Sequence, residues 1–211
     1  MDTATTQYYF LAGNHCLDYA NTADWHEAEQ PVEMLTSYGD LLAWGRQAGV
    51  LDSSAAERLL RAAEYEPEAA VAVYERAITF REAVFRIFRL IARHETPSAS
   101  DLALLNDELR RAGRHRSVAA SPEGYEWDWA DQDAALDLVL WHVAQSAADL
   151  LVEGERERIR QCAGDPCGWL FYDTSRNRSR RWCNMEGCGN RAKARRYYQR
   201  RRGQPASGSH D

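Results

Sequence analysis

Four of the five cysteines fall between residues 162 and 188, as Cys162-x4-Cys167, fifteen intervening residues, then Cys183-x4-Cys188. Two chelating pairs on separate turns suit tetrahedral zinc, which takes four soft ligands at about 2.3 Å. Gly164, Asp165 and Pro166 bend the first pair, and Asn184, Glu186 and Gly187 bend the second. Gly168 and Gly189 directly follow the second ligand of each pair and are expected to let the backbone curl its N–H groups toward the sulfurs. The x4 spacing is looser than the commonest x2 knuckle. Four buried thiols, two disulfides or an iron–sulfur cluster are the alternatives. Clustering beside turn glycines, in a chain expected to be cytoplasmic, favours zinc over all three. With every position filled by thiolate, no site is left for water, so one Zn2+ per chain is expected in a structural role.

Charge divides the chain sharply. From Thr174 to Arg202 there are eleven Lys or Arg and one acid, Glu186, a net +10; the remainder holds 15 bases and 31 acids, a net −16. Only the basic end is suited to approach a polyanion.

The body carries mainly helical patterns. An aromatic run, Tyr8-Tyr9-Phe10-Leu11, suits a strand that passes the Gly13-Asn14 turn and continues through Cys16, which is expected as a buried strand residue. Leu35, Tyr38, Leu41, Leu42, Gly45 and Ala48 mark a helix stopped by Gly49. Ser54 and Glu57 read as a capping box over a second helix. The longest helix is expected from about Glu68 to His94, burying Val71, Tyr74, Ile78, Phe85, Phe88 and Ile91. Another starts near Ser100, using Leu102, Leu105 and Leu109. Arg116–Ala119 and Tyr125–Trp129, around Ser121-Pro122-Glu123-Gly124, form a β-hairpin candidate with Tyr125, Trp127 and Trp129 on one face. A last body helix runs from about Asp133 to Val152. The reading is mainly α: a multi-helical domain over residues 1–154 with a few short strands, a small four-cysteine zinc-finger module of β-hairpin and basic helix over 155–202, and a disordered tail over 203–211.

The basic residues frame the cysteines. Arg176, Arg178, Arg180 and Arg181 lie between the pairs; Asn190, Arg191, Lys193, Arg195, Arg196 and Arg200 follow the last one in good helix-forming sequence. Arg191 and Arg195 share one line of that helix, Lys193, Arg196 and Arg200 a neighbouring one, and Ala194 and Tyr197 are left to contact the zinc hairpin. Two or three arginines would balance the −2 charge of a zinc tetrathiolate, and a solvated basic tail would account for others. The ten-to-one preference of Arg over Lys in this stretch favours phosphate contact, and double-stranded DNA over RNA.

These residues resemble a known family. Cys188-Gly189-Asn190-Arg191, with Cys162-x4-Cys167-Gly168-Trp169-Leu170-Phe171-Tyr172-Asp173 and Arg181-Trp182-Cys183, looks like the CGNR zinc finger. Leu11-Ala12-Gly13-Asn14-His15-Cys16-Leu17-Asp18-Tyr19-Ala20-Asn21-Thr22, with Leu41-Leu42-Ala43-Trp44, resembles the ABATE domain that precedes this finger. The resemblance implies a bacterial, stress-induced transcription regulator whose finger binds DNA. One departure is Gly13-Asn14 where the family often has Gly-Gly.

A regulator needs an input. His15, Asp18, Asn21 and Trp25 are the candidate ligand pocket for a small-molecule effector, with caps and an ordinary surface histidine as the simpler alternative. Trp44, Trp127, Trp129 and Trp141 suit a core or an interface, and a homodimer is the usual solution for short binding modules. No nucleophile with an adjacent base, phosphate-cradling loop or open metal site is legible, so no enzyme is expected. No signal peptide or membrane span is legible either. Two alternatives stay open: an RNA- or ribosome-associated protein, and an enzyme whose zinc module only docks it.

Overall fold

The computed structural model describes residues 6–130 and 135–203. Side-chain caps set where most helices begin. Asn14 accepts from Cys16 N at the start of α1 (His15–Ala20). Ser37 does the same for Asp40 N in α2 (Tyr38–Gln47), Asp52 for Ala55 N in α3 (Ser53–Tyr65) and Ser98 for Asp101 N in α5 (Ala99–Gly113). Pro67 opens the 26-residue α4 (Pro67–Ala92), where its missing N–H costs nothing. Helix α6 (Leu138–Val152) and the C-terminal α7 (Asn190–Gly203) complete the set. Among the described residues three antiparallel strand pairs join them: β1 (Ala23–Asp24) with β2 (Val32–Glu33), β3 (Arg116–Ser121) with β4 (Gly124–Trp129), and β5 (Ile159–Gln161) with β6 (Leu170–Tyr172). The fold is mainly α, as the sequence patterns indicate.

Several expectations are corrected. Tyr8–Leu11 forms no strand; its order comes from single interactions, such as the Tyr8 hydroxyl donating to Asp40 O at 3.1 Å. The segment after Gly13 is helical because Asn14 caps it, so the residue that departs from the family pattern starts α1. Cys16 is therefore a buried helix residue, and burial pushes its thiol well above the usual range. Asp52, not Ser54, caps α3. In α4 the buried side is Ala70, Val73, Ala77, Phe80, Val84, Phe85, Phe88 and Ile91, with Tyr74 and Ile78 half-buried against the core; of the expected residues only Val71 is exposed, one position off the Ala70–Val73–Ala77 stripe. The hairpin register is Arg116↔Trp129, Val118↔Trp127 and Ala120↔Tyr125, which puts the three aromatic residues on one face as expected. Helix α6 begins at Leu138; the expected start at Asp133 and the tail beyond 203 lie outside the described residues.

The core gathers around α1, which packs against both α4 and α6. Leu17, Tyr19, Trp44, Phe80, Phe88, Leu138 and Trp141 are almost wholly buried, each contributing roughly 1.5–3 kcal/mol by leaving water. Trp44 meets Tyr19 edge-on at 5.1 Å, and the Tyr19 hydroxyl donates to Ala77 O at 2.8 Å. Arg81, buried among these, is balanced by the Glu33 and Glu82 carboxylates. The same apolar cluster continues without a break into Ile159, Leu170 and Phe171. Strand β6 packs on α1, so the C-terminal module is built onto the body.

Candidate metal centre

The loop between β5 and β6 delivers the first cysteine pair. Cys162 N donates to Trp169 O at 2.7 Å and Cys167 N to Gly164 O at 2.6 Å, closing a tight knuckle. Gly168 takes φ +71°, a left-handed conformation suited to glycine. Ala163 N donates to Arg181 O at 2.9 Å, bringing the chain before Cys183 alongside this knuckle. The second pair is closed by one π-helical turn, Met185–Gly189, capped by Asn184 accepting from Glu186 N. Helix α7 follows directly, as the sequence placed it.

The four Sγ atoms lie within 4.8 Å of one another, and all four residues are buried. Cys167–Cys183 and Cys183–Cys188 are both separated by 3.7 Å. A tetrahedron with arms of about 2.3 Å has edges of about 3.8 Å, so the cage has the dimensions of Zn–thiolate coordination. A disulfide needs about 2.05 Å, and all five cysteines are free. Gly164 N and Cys183 N donate to Cys162 Sγ at 3.4 and 3.3 Å, and Arg191 Nη2 to Cys188 Sγ at 2.9 Å, all favouring thiolates. A Cβ on Gly164 would sit 2.9 Å from Cys188 Cβ, so glycine there lets the two knuckles close. Gly189 plays a different part from that expected: its N–H donates to Asn184 O, not to a sulfur.

The basic residues divide by partner. Arg180 is turned inward, its Nε donating to Trp182 O at 3.0 Å, its Nη2 to Cys183 O, and its guanidinium lying 4.4 Å over Phe171. Arg191 bridges Cys188 Sγ and the Trp25 ring, 4.8 Å away. Arg178 pairs with Glu155, and Arg195 with Asp165 at 2.9 Å; all four side chains are exposed, so these pairs are weak and exchangeable. Asn190 donates to Glu186 O. Among the described residues, the side chains of Arg176, Arg181, Lys193 and Arg196 form no hydrogen bond or ion pair, although Arg181 lies 5.5 Å over Trp182. Arg200 lies on α7. Ala194 and Tyr197 are exposed, not packed on the hairpin. Between the first knuckle and α7 opens a cleft of about 180 Å³ lined by Arg181, Arg191, Arg195 and Arg196 over Trp182.

Asp173 is a structural residue whose role sequence reasoning missed. It is fully buried, and its carboxylate accepts from Ser175 N and Arg180 N, both at 2.9 Å. Burial works against its charge, but these bonds outweigh it and hold the carboxyl below its usual range. The loop carrying Arg176 and Arg178 is wound around this one acid. Its place at the end of the apolar run Trp169–Tyr172 was the available signal.

The four candidate pocket residues serve separate purposes. His15 is exposed. Asp18 is buried, with Oδ1 accepting from Ala12 N at 2.9 Å. Asn21 is buried and bonded to the Leu170 backbone. Only Trp25 faces an open cleft.

Residues 13–154 match the ABATE family model, described as "Putative stress-induced transcription regulator". The chain belongs to the ABATE family. Residues 158–201 match the CGNR zinc finger. Among curated proteins, none matches the chain in sequence. The CGNR match spans the module that holds the four-cysteine cage, so Cys162, Cys167, Cys183 and Cys188 are the ligands of one structural zinc ion. When bound, the ion would cross-link the β5–β6 knuckle to the turn that launches α7. The ABATE domain and CGNR finger together make this a zinc-binding member of a regulator family. No helix is long and apolar enough to cross a membrane among the described residues.

Proposed function

We propose that the zinc-organised CGNR finger grips double-stranded DNA and that the ABATE domain supplies regulatory input, with no catalytic role for either. The observation that carries this reading is the outward set Arg176, Arg181, Lys193 and Arg196, cations with no ion-pair partner among the described residues, on a scaffold set by the metal. Arg181 and Arg196 line the cleft beside α7, where a backbone phosphate would meet several guanidinium forks. Arg178 and Arg195 exchange exposed carboxylates for phosphates as DNA docks, because such surface pairs contribute little by themselves. Arg180 and Arg191 hold the finger's shape. Two copies would place two such fingers on one duplex, the arrangement by which short modules reach useful affinity.

The test is duplex binding against salt for the zinc-loaded chain. Salt-sensitive binding that disappears with the metal supports the reading. A zinc-loaded chain that ignores duplex at low salt yet binds single-stranded RNA would move the finger to RNA.

A further inference from the structure

We infer that a second cleft, at the seam between the ABATE domain and the finger, binds a planar aromatic base. Its walls are Tyr9, Asp24 and Trp25 from the body and Trp169, Asn184 and Arg191 from the finger, enclosing about 240 Å³. This is room for one small ring system, and three of the eleven lining residues, Tyr9, Trp25 and Trp169, are aromatic.

Four independent features set it apart from an incidental groove. Tyr9 is 55% exposed although it neighbours the buried Tyr8, and its ring stands 6.2 Å from Trp169 at 49°, so it offers a face to a third ring. Trp25 sits at φ +59°, where a bulky residue is an outlier and has to be held by its surroundings. Trp169 is 93% buried, and its indole N–H has no hydrogen-bond partner among the described residues. Asp24 Oδ1 accepts from Trp25 N at 2.8 Å, which orients a carboxylate at the rim to receive a donor. Aromatic faces beside a carboxylate acceptor suit a flat ring that carries an N–H donor, the chemistry of adenine or cytosine.

The cleft also touches the metal centre. Cys167, Cys183 and Cys188 form its back, and Arg191 reaches across from the Trp25 ring to Cys188 Sγ. A ring entering against Trp25 competes with the Arg191 guanidinium for that face. Occupancy therefore acts on the first turn of α7, the helix assigned to DNA. The binding chemistry of the cleft stands without the DNA reading; its regulatory consequence rests on that reading.

The base has two sources, a free nucleoside or a base of the bound nucleic acid, and one set of variants separates them. Adenosine and cytidine, which carry no phosphate and so do not compete for the basic surface, are titrated into the zinc-loaded full chain by ligand-observed NMR. Expected is saturable binding with a dissociation constant below about 1 mM, weakened roughly ten-fold in Tyr9→Ala, as loss of one stacking face should do. Asp24→Asn should weaken binding too, with zinc content unchanged in both variants. Tyr9 is exposed, so its truncation leaves the core intact. If Tyr9→Ala also lowers duplex affinity while the salt slope is kept, the base comes from the nucleic acid; unchanged duplex affinity assigns it to a free molecule. No saturable binding of either nucleoside, or equal binding by both variants and the parent chain, overturns the inference. Loss of the salt-dependent duplex binding alone would count against the DNA reading and leave the cleft standing.

Discussion

The side-chain amide of Asn21 makes to Leu170 both hydrogen bonds that a neighbouring strand would make: Nδ2 donates to Leu170 O and Oδ1 accepts from Leu170 N, each at 2.9 Å. Asn21 ends α1 of the body, and Leu170 opens β6 of the finger, so one buried amide stitches the two together.

Replacing Asn21 with Leu leaves two wholly buried backbone groups of Leu170 without partners. The expected loss is about 2–4 kcal/mol, from one to a few kcal/mol per orphaned group. Urea unfolding of the zinc-loaded variant reads this directly. An unchanged midpoint would show that the amide does not hold the seam.

Zinc removal should unfold more than the finger. Structural zinc contributes on the order of 10 kcal/mol to small modules, and Leu170 and Phe171 belong to the same apolar cluster as the body. Chelation is therefore expected to lower the melting temperature of the whole chain and to change the near-ultraviolet signal of its buried tryptophans. A chelated chain that melts where the loaded one does would mean that the body folds independently of the metal.

The division among arginines predicts two kinds of variant. Arg181→Ala with Arg196→Ala should leave the melting temperature alone and flatten the salt dependence of duplex binding by about one unit for each phosphate no longer gripped. Arg180→Ala should act in the opposite way, costing about 1–3 kcal/mol of stability because the half-buried carbonyls of Trp182 and Cys183 lose their donor. Equal effects of both variants on the melting temperature would erase the distinction.

Asp18 gives a pH signature. Burial raises its carboxyl from 3.8 to about 6, although the Ala12 and Leu11 N–H groups pull it down. The folded pKa exceeds the unfolded one, so the fold favours the protonated form. Its stabilising contribution is complete below about pH 4 and is lost as pH rises through about 6, a change of about 3 kcal/mol. Asp18→Asn should remove that decline, because an amide oxygen still accepts from Ala12 N and carries no charge. Parallel pH–stability curves for the two proteins between pH 4 and 7 would contradict this. Glu82 runs the other way: burial opposes its charge, but His26 and Arg81 outweigh burial and hold it at about 2, so its contribution fades only as pH falls below about 4.5.

Much of the architecture was legible because its signals are local. The α5 stripe, the hairpin around Pro122-Glu123 and the helix after Cys188 follow from spacing, turn residues and propensity. The opening segment misled because an aromatic run with strand propensity was claimed by single tertiary interactions, and because the Asn14 cap turned the following residues into a helix. The pocket expectation misled for a related reason. Polar residues a few positions apart look convergent in sequence, whereas Asp18 and Asn21 satisfy backbone groups that only the folded chain brings to them.

The zinc ligands, the helical class and the split between an acidic body and a basic end can be read from the chain alone, because ligand type, periodicity and charge are properties of the residues themselves. Which arginines are held by the protein's own groups is settled only in the folded chain. Arg180 and Arg191 cannot be told from Arg181 and Arg196 by composition or spacing. Their difference is whether a backbone carbonyl or a sulfur lies within hydrogen-bond reach, and that depends on how the turns around the second cysteine pair fold within the finger.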